Sequence, residues 1–129
     1  MPKFLGIDYG EKRIGLATAE NYESARAVTT VGNLDDVVRY IRDNGPFESI
    51  VMGLPRGGEG QDTQQTLRAR EAGADLSDQI SIQIEYIDEF DTSNIARARL
   101  LDSGRAFKQE EVDAEAAAII LNDFMVGLD

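Results

Sequence analysis

The sequence contains no cysteine and no histidine. Without cysteine, the chain has no disulfide, no thiolate metal ligand and no cysteine nucleophile. Without histidine, it has no imidazole metal ligand and no histidine general base. These absences exclude many enzyme mechanisms, but they leave open the chemistry in which carboxylates bind a metal ion.

Long apolar runs are also missing. The N-terminal residues Met1-Pro2-Lys3 lead into a short apolar run that is broken at Asp8. A secretory signal needs a longer apolar stretch with a small-residue cleavage site, and a membrane-spanning helix needs about 20 apolar residues. We therefore expect a soluble, cytoplasmic protein with no membrane partner.

Basic residues are in the minority. The chain has 13 lysine and arginine residues against 24 aspartate and glutamate residues, which gives a formal net charge of −11. Nucleic-acid-binding proteins usually present a basic surface, because neutralising phosphates supplies much of their affinity. Composition alone therefore argues against a nucleic-acid partner, although strong acidity also serves solubility or adaptation to a salty cytoplasm.

The length of 129 residues suits one domain, and neither a repeat nor a linker divides it, so we predict a single domain over residues 1–129. Apolar spacing and turn residues predict three strands, then helix, strand, helix, strand and two helices. The predicted strands cover residues 3–9, 13–19, 26–31, 50–53 and 82–87. Strands joined by short turns pair antiparallel, whereas strands separated by helices pair parallel. The expected fold class is α/β, with a mixed five-stranded sheet (an antiparallel meander, then parallel strands) flanked by helices.

The sequence also predicts the ends and the apolar face of the third helix, and the packing of the last helix. Thr92 or Ser93 should cap the third helix, which should end near Gly104. The apolar face of this helix should include Ile95, Ala98 and Leu101. In the last helix, predicted over about 111–126, the run Ala116-Ala117-Ala118 keeps the surface slim, so that the helix should lie close to the sheet.

Asp8 does not suit its predicted surroundings. It lies in a strand expected near the centre of the sheet, where aspartate is a poor strand former and a buried charge needs a partner. Gly6 and Gly10, on the same side of the pleat, leave room beside its carboxylate. The side chain either accepts backbone hydrogen bonds in the Gly10 turn or projects into a functional pocket.

Two further acidic positions adjoin helix N-termini. Asp88 and Glu89 follow the last predicted strand, where Asp88 or Asp91 could simply cap the next helix. Asp113 shares the apolar face of the last helix. It is therefore either a partner of the helix dipole or a ligand directed into a pocket.

A bound metal ion would explain these positions together. Two carboxylates about 4 Å apart repel by roughly 4 kcal/mol at an effective dielectric near 20. A hard divalent cation removes this repulsion, and Mg²⁺ or Mn²⁺ suits a site built from carboxylates. Two such ions can stabilise the attacking and leaving oxygens of phosphodiester hydrolysis. The predicted metal ligands are Asp8, Asp88, Glu89 and Asp113.

Four short segments form an ordered set along the chain. They are Gly6-Ile7-Asp8-Tyr9-Gly10-Glu11-Lys12-Arg13-Ile14-Gly15; Gly53-Leu54-Pro55 with its glycine-rich loop; Asp88-Glu89 with Thr92-Ser93; and Val112-Asp113 with Ala116-Ala117 through Ile119-Ile120-Leu121. This set resembles the motifs of the YqgF/RuvX family of RNase H-like proteins. Any one segment is a weak signal, whereas the ordered set is specific and spans nearly the whole chain.

The resemblance implies an RNase H-like fold and a nuclease activity, either Holliday junction resolution or maturation of the 5′ end of pre-16S ribosomal RNA. The nucleic-acid partner would be structured RNA or branched DNA. By motif position, the implied catalytic acids are Asp8, Glu89 and Asp113. Lys12 and Arg13 would be the basic pair near the substrate phosphate.

We expect Arg56, which begins the glycine-rich loop, to extend this basic patch within an otherwise acidic surface. A resolvase must cut two strands, so junction resolution would call for a homodimer, whereas an RNA-processing nuclease need not be dimeric. The sequence leaves the choice between these substrates open.

Phe90 departs from the family pattern, in which arginine normally follows the Asp-Glu pair. A guanidinium at this place would make a bidentate phosphate contact that phenylalanine cannot make. The alternative hypothesis is therefore a diverged, catalytically impaired RNase H-like protein that acts as an interaction or regulatory module. A third hypothesis, an actin-like sugar kinase, would need two domains of this kind, and the chain supplies one.

Overall fold

The computed structural model describes residues 2–127, so Met1, Leu128 and Asp129 of the predicted domain lie outside the described residues. The described part contains five strands and four helices. These are β1 (Lys3–Tyr9), β2 (Ile14–Glu20), β3 (Arg26–Val31), α1 (Leu34–Asn44), β4 (Ser49–Pro55), α2 (Gln64–Ile80), β5 (Ile84–Glu89), α3 (Thr92–Asp102) and α4 (Gln109–Val126). None of these helices is long and apolar enough to cross a membrane.

The strands form one sheet in the order β3-β2-β1-β4-β5. The first three strands are antiparallel neighbours, and β4 pairs parallel with both β1 and β5. The predicted mixed five-stranded α/β sheet is therefore confirmed. Strand β5 begins two residues later than expected, because Ser81 ends α2 in the left-handed conformation and Ile82 and Gln83 complete the turn.

The pleat divides the sheet into two faces. Leu5, Ile7 and Met52 point to one face, where α1 and α2 cover the larger apolar core. Phe4 and Val51 point to the other face and pack against α4. Because side chains alternate along a strand, Gly6 and Asp8 share the α4 face with Phe4.

The expected apolar face of α3 is wrong. Ala96 and Leu100 are the buried residues of α3, and they pack against Val112 and Ala116 of α4. The three residues expected to be buried are exposed: Ile95, Ala98 and Leu101. Spacing alone could not show which of two narrow stripes α4 would cover.

Of the caps considered for α3, neither Thr92 nor Ser93 is the N-cap; Asp91, the other alternative, holds that position without a capping hydrogen bond. The helix begins at Thr92, and its N-cap is Asp91 in the left-handed conformation, with φ 60° and no side-chain capping hydrogen bond. The carboxylate of Asp91 instead accepts a hydrogen bond from the side chain of Asn94 at 2.6 Å.

Helix α4 lies close to the sheet, as its alanine run predicts. A Cβ atom at Gly15 would fall 2.0 Å from the carbonyl oxygen of Asp113, and one at Gly6 would fall 2.7 Å from the carbonyl oxygen of Ala117. Ala116, Ala117 and Ala118 are all buried. Small residues on both surfaces therefore bring the α4 backbone against β1 and β2.

We expect Gly15→Ala to destabilise the fold strongly, because the added methyl group meets backbone that cannot move without shifting the whole of α4. Overpacking of this kind typically costs about 1–3 kcal/mol, and the loss here should reach the upper end. Urea denaturation measures the change. Gly32→Ala is the matched control, since a Cβ atom there meets nothing within 4 Å, and its effect should stay within about 0.5 kcal/mol. Equal stability of the two variants would contradict the close packing.

Candidate active site

The predicted catalytic acids all lie on the α4 side of the sheet. Asp8 pairs with Gly15 across β1 and β2, and the backbone of Asp113 passes directly over Gly15. On the other side of β1, Ile7 pairs with Met52, so the next residue of β4, Gly53, lies beside Asp8. Glu89 extends over Gly53 from β5, because its Cγ lies 2.6 Å from the place of a Cβ at Gly53. Gly15 and Gly53 therefore allow the backbone of Asp113 and the side chain of Glu89 to lie directly against the strands on either side of Asp8.

Glu89 is the most unusual side chain of the site. It is 6% exposed, and neither of its carboxylate oxygens has a hydrogen-bond partner. Buried polar atoms are almost always hydrogen-bonded, so an exception calls for an explanation, such as an ion that the protein binds. Burial, with added repulsion from Asp123 and Asp8, raises the pKa of Glu89 to about 8.

Asp8 experiences a similar environment. Burial, with added repulsion from Asp113, raises the pKa of Asp8 to about 7. Asp8 is thus close enough to act electrostatically on Glu89 and to be acted on by Asp113. The three acids share one electrostatic environment, with Asp8 in the middle.

Asp113 differs from the other two because it has a cationic partner. The Nε of Arg13 donates to its Oδ2 at 2.6 Å, and Gln109 donates to its Oδ1 at 3.4 Å. Burial raises the pKa of Asp113, while the hydrogen bond from Gln109 and the charge of Arg13 oppose that rise. The guanidinium of Arg13 also lies 3.9 Å from Glu110.

The residues fit a hard divalent cation by their chemistry. Carboxylate oxygens are the preferred ligands of Mg²⁺ and Mn²⁺, and the unpartnered oxygens of Glu89 are free to coordinate. In residues 2–127, no three acidic side chains are gathered closely enough to surround one ion. Coordination would therefore draw these side chains together, with Asp113 sharing its charge between the ion and Arg13.

Lys12 and Arg13 lie beside this site. Together with Gly10, Glu11, Gln109 and Asp113 they line an open depression of about 360 Å³. Lys12 is exposed, and the side chain of Arg13 is 24% exposed. The turn between β1 and β2 therefore presents two basic side chains next to the acids.

Asp88 and Arg56 are not brought together with the other predicted site residues. Asp88 pairs with Leu54, which belongs to the core under α1 and α2. Neighbouring residues of a strand point to opposite faces, so Asp88 is directed away from Glu89. On that face the Nε of Arg56 donates to Oδ1 of Asp88 at 2.8 Å.

Sequence reasoning missed two features of the site. Asp123 contributes to the electrostatic environment of Glu89, and the available signal was its helical spacing, three residues after Ile120 on the predicted helix that carries Asp113. Gly53 was noted only as part of a motif, although it provides the space that Glu89 occupies.

The raised carboxyl pKa values give the metal-free protein a pH-dependent stability. Below about pH 4, Glu89 is protonated in both the folded and the unfolded chain. Between pH 4 and 8 the unfolded chain releases this proton first, so the free energy of unfolding falls as the pH rises and levels off above the folded pKa. Glu89→Gln should remove this loss. The free energy of unfolding of the variant should therefore rise relative to that of the parent by up to about 1.4 kcal/mol per pH unit in this range.

Urea denaturation in a chelator at several pH values measures the effect. Glu85→Gln, which alters an exposed acid of the same strand, is the control and should follow the parent. If Glu89→Gln and the parent keep a constant difference from pH 4 to 8, the carboxyl of Glu89 has no raised pKa.

Comparison with known proteins identifies the family of this chain. A family model described as "RuvX: Holliday junction resolvase" matches residues 2–126. A protein of Aeromonas hydrophila named "Putative pre-16S rRNA nuclease" is 35% identical over 130 residues, covering 94% of this chain and 92% of that protein. A protein of Burkholderia mallei with the same name is 37% identical over 131 residues, covering 96% of this chain and 88% of that protein.

Two solved structures resemble the fold. Thermus thermophilus RuvC in complex with a Holliday junction substrate matches with a TM-score of 0.63 and 14% identity, covering 99% of this chain and 96% of that chain. A second Thermus thermophilus RuvC structure matches with a TM-score of 0.58 and 12% identity, covering 98% and 95%. At this identity the likeness establishes the fold alone, which is RNase H-like. The family match and the relatives above 30% identity show that this chain belongs to the RuvX family of RNase H-like nucleases.

Proposed function

We propose that this protein is a metal-dependent endonuclease that hydrolyses phosphodiester bonds in nucleic acid, with Asp8, Glu89 and Asp113 as the residues that hold Mg²⁺ or Mn²⁺. The observation that carries the proposal is the buried carboxylate of Glu89, which has two unpartnered oxygens. Its side chain lies over Gly53, and the charge of Asp8 contributes to its raised pKa. A structural role would have given this carboxylate a donor.

The bound ion would activate the attacking water and neutralise charge on the scissile phosphate. The protein's own contribution begins with Asp8 and Glu89, whose raised pKa values leave both carboxyl groups incompletely ionised at neutral pH, so that a bound cation would favour their ionised forms. Arg13 holds Asp113 at the edge of the site through the 2.6 Å hydrogen bond.

Substrate binding is assigned to Lys12 and Arg13, which lie beside Asp113 in an open depression. Part of the charge of Arg13 is already neutralised by Asp113. Few phosphate contacts therefore remain to supply affinity, and we expect weak binding with a shallow dependence on salt. A local patch can still direct a substrate to the site despite a net charge of −11.

Precursor ribosomal RNA is the favoured substrate, because the relatives at 35% and 37% identity carry the name of a pre-16S rRNA nuclease. The protein would then act in the cytoplasm and could function without a partner subunit. Holliday junction resolution is the second candidate, supported by the description of the family model. It would require a homodimer, because two strands must be cut.

A non-catalytic interaction module is the alternative of a different class. Phe90 is 54% exposed immediately after Glu89, where a guanidinium would otherwise face the substrate, and the surface is strongly acidic. Retention of the unpartnered Glu89 argues against this alternative, since a site without a ligand would gain stability by losing the buried carboxylate.

Divalent ions should raise the melting temperature of the parent protein, because a ligand that binds only the native state stabilises it. Asp8→Asn should abolish this rise and the metal-dependent cleavage, while its stability without metal should equal or exceed that of the parent. Calorimetry with Mg²⁺, Mn²⁺ and chelator, alongside cleavage of labelled precursor RNA and junction DNA, measures both effects.

Asp43→Asn, which alters an exposed acid of α1, is the matched control and should retain the metal effect. A strongly destabilised Asp8→Asn protein would instead show that the carboxylate is held by the fold itself. In that case the metal assignment would be wrong.

Phe90→Arg should tighten nucleic-acid binding and steepen its salt dependence by about one phosphate contact, provided that the new side chain reaches the substrate. Arg13→Ala should weaken binding. Titration of structured RNA and junction DNA across a salt series gives both values. If the parent shows no binding at low salt and Phe90→Arg restores none, the interaction-module alternative replaces the nuclease assignment.

A further inference from the structure

Arg56 contacts the end of β5 through both its backbone and its side chain. Its backbone N–H donates to the carbonyl oxygen of Glu89 at 3.0 Å. Its Nε donates to Oδ1 of Asp88 at 2.8 Å, and a second guanidinium nitrogen donates to Asp62. With these contacts the side chain is only 13% exposed, which is low for an arginine that begins a surface loop.

The same contacts close the loop between β4 and α2. Arg56 and Asp62 form an isolated antiparallel bridge, and Gly57 N–H donates to the carbonyl oxygen of Gln61 at 2.9 Å. Asp62 also accepts a hydrogen bond from Arg70 of α2 at 3.0 Å. The loop at 57–61 is thus fixed at its base to both the sheet and a helix.

The position of Glu89 depends on these contacts. The carboxylate of Glu89 has no hydrogen bond of its own. Its partner in the parallel ladder is Pro55, and in such a ladder the hydrogen bonds run to the residues that flank the partner. The N–H of Arg56 therefore supplies the hydrogen bond from β4 at this level, and the guanidinium fixes the residue immediately before Glu89.

The surroundings of Arg56 do not suit a phosphate ligand. Two carboxylates, those of Asp88 and Asp62, already pair with its guanidinium. These residues lie on the α2 side of the sheet, whereas the proposed catalytic acids lie on the α4 side. A phosphate would have to displace two bound carboxylates to reach Arg56.

We propose that Arg56 is a positioning residue that holds Glu89 and the loop at 57–61 in place, with Asp88 and Asp62 as its counter-ions. It does not bind substrate phosphate, and Asp88 does not bind the metal ion. The proposal rests on the proposed function, because positioning Glu89 affects catalysis only if Glu89 serves in cleavage.

Steady-state cleavage by Arg56→Gln and Arg56→Lys tests the role of the side chain. For a positioning residue, kcat should fall on the order of 10-fold to 100-fold, while KM stays within about twofold. Lysine should fail to restore kcat, because a single ammonium group cannot hold two carboxylates in the fixed arrangement of a guanidinium fork.

A phosphate ligand would give the opposite pattern. Lysine would then restore most of the activity, and Arg56→Gln would raise KM and reduce the salt slope of binding by about one. Either result would overturn the proposal. Arg105→Gln is the matched control, since it removes an equal charge from an exposed arginine paired with Glu111 and should leave both kinetic constants unchanged.

A double-mutant cycle tests the role of Asp88. Asp88→Asn should lower kcat about as much as Arg56→Gln, and the double variant should be no worse than either, because one interaction is lost in all three. The Mg²⁺ concentration for half-maximal activity should stay unchanged in Asp88→Asn. A higher Mg²⁺ concentration for half-maximal activity in Asp88→Asn would show that Asp88 binds the metal ion. Additive losses in the double variant would show that Asp88 and Arg56 act independently. Either outcome would contradict the proposal.

Hydrogen exchange separates this proposal from the proposed function, because it needs no activity. In Asp88→Asn and Arg56→Lys, the amides of Arg56 and residues 57–61 should exchange at least 10-fold faster than in the parent, while amides in β1 keep their rates. Unchanged exchange would overturn the proposal even in an active enzyme. Faster exchange in a protein that cleaves neither RNA nor junction DNA would support the positioning role and reject the nuclease assignment.

Discussion

Helix α4 lies so close to β1 and β2 that its carbonyl oxygens occupy the space in which side chains would stand at Gly15 and Gly6. This contact brings Asp113 over the strand pair that carries Asp8. It also buries Phe4 of β1 against Leu121 of α4 in the apolar cluster on the same face of the sheet. Asp8 and Glu89 therefore lie next to this apolar cluster, where burial raises the pKa of a carboxyl group.

The raised pKa values of Asp8 and Glu89 show that ionising these two carboxyl groups is unfavourable in the metal-free protein. Asp8 and Glu89 would each be ionised in water at neutral pH, but burial and mutual repulsion favour their protonated forms. At Asp113 burial also raises the pKa, and the hydrogen bond from Gln109 and the charge of Arg13 oppose that rise only in part. A protein that keeps an unpartnered buried carboxylate loses stability, and the proposed binding of a cation would account for this arrangement.

The distribution of basic groups bears on the contrast between a nuclease fold and a net charge of −11. Of the three basic residues expected to contact substrate, Arg13 pairs with Asp113, and Arg56 pairs with Asp88 and Asp62. These two guanidinium groups are thus paired with carboxylates of the same chain, so that less of their positive charge is available to a substrate phosphate. The proposed substrate binding therefore rests on a small patch and on the geometry of the site.

The sequence by itself determined the strand and helix order, the mixed sheet and the side of the pleat that Asp8 shares with Gly6, because alternation and helical periodicity are local properties; that α4 covers this side was decided by the tertiary structure. It could not determine which stripe of α3 would be buried, since that depended on where Val112 and Ala116 of α4 came to lie. It also could not separate Asp88 from Glu89. The predicted strand ended at Ile87, whereas the pairing with β4 extends β5 through Asp88 and Glu89, so that alternation directs these two acids to opposite faces. The same pairing placed Arg56 against Asp88, because contacts between residues 32 positions apart arise only when the sheet is assembled.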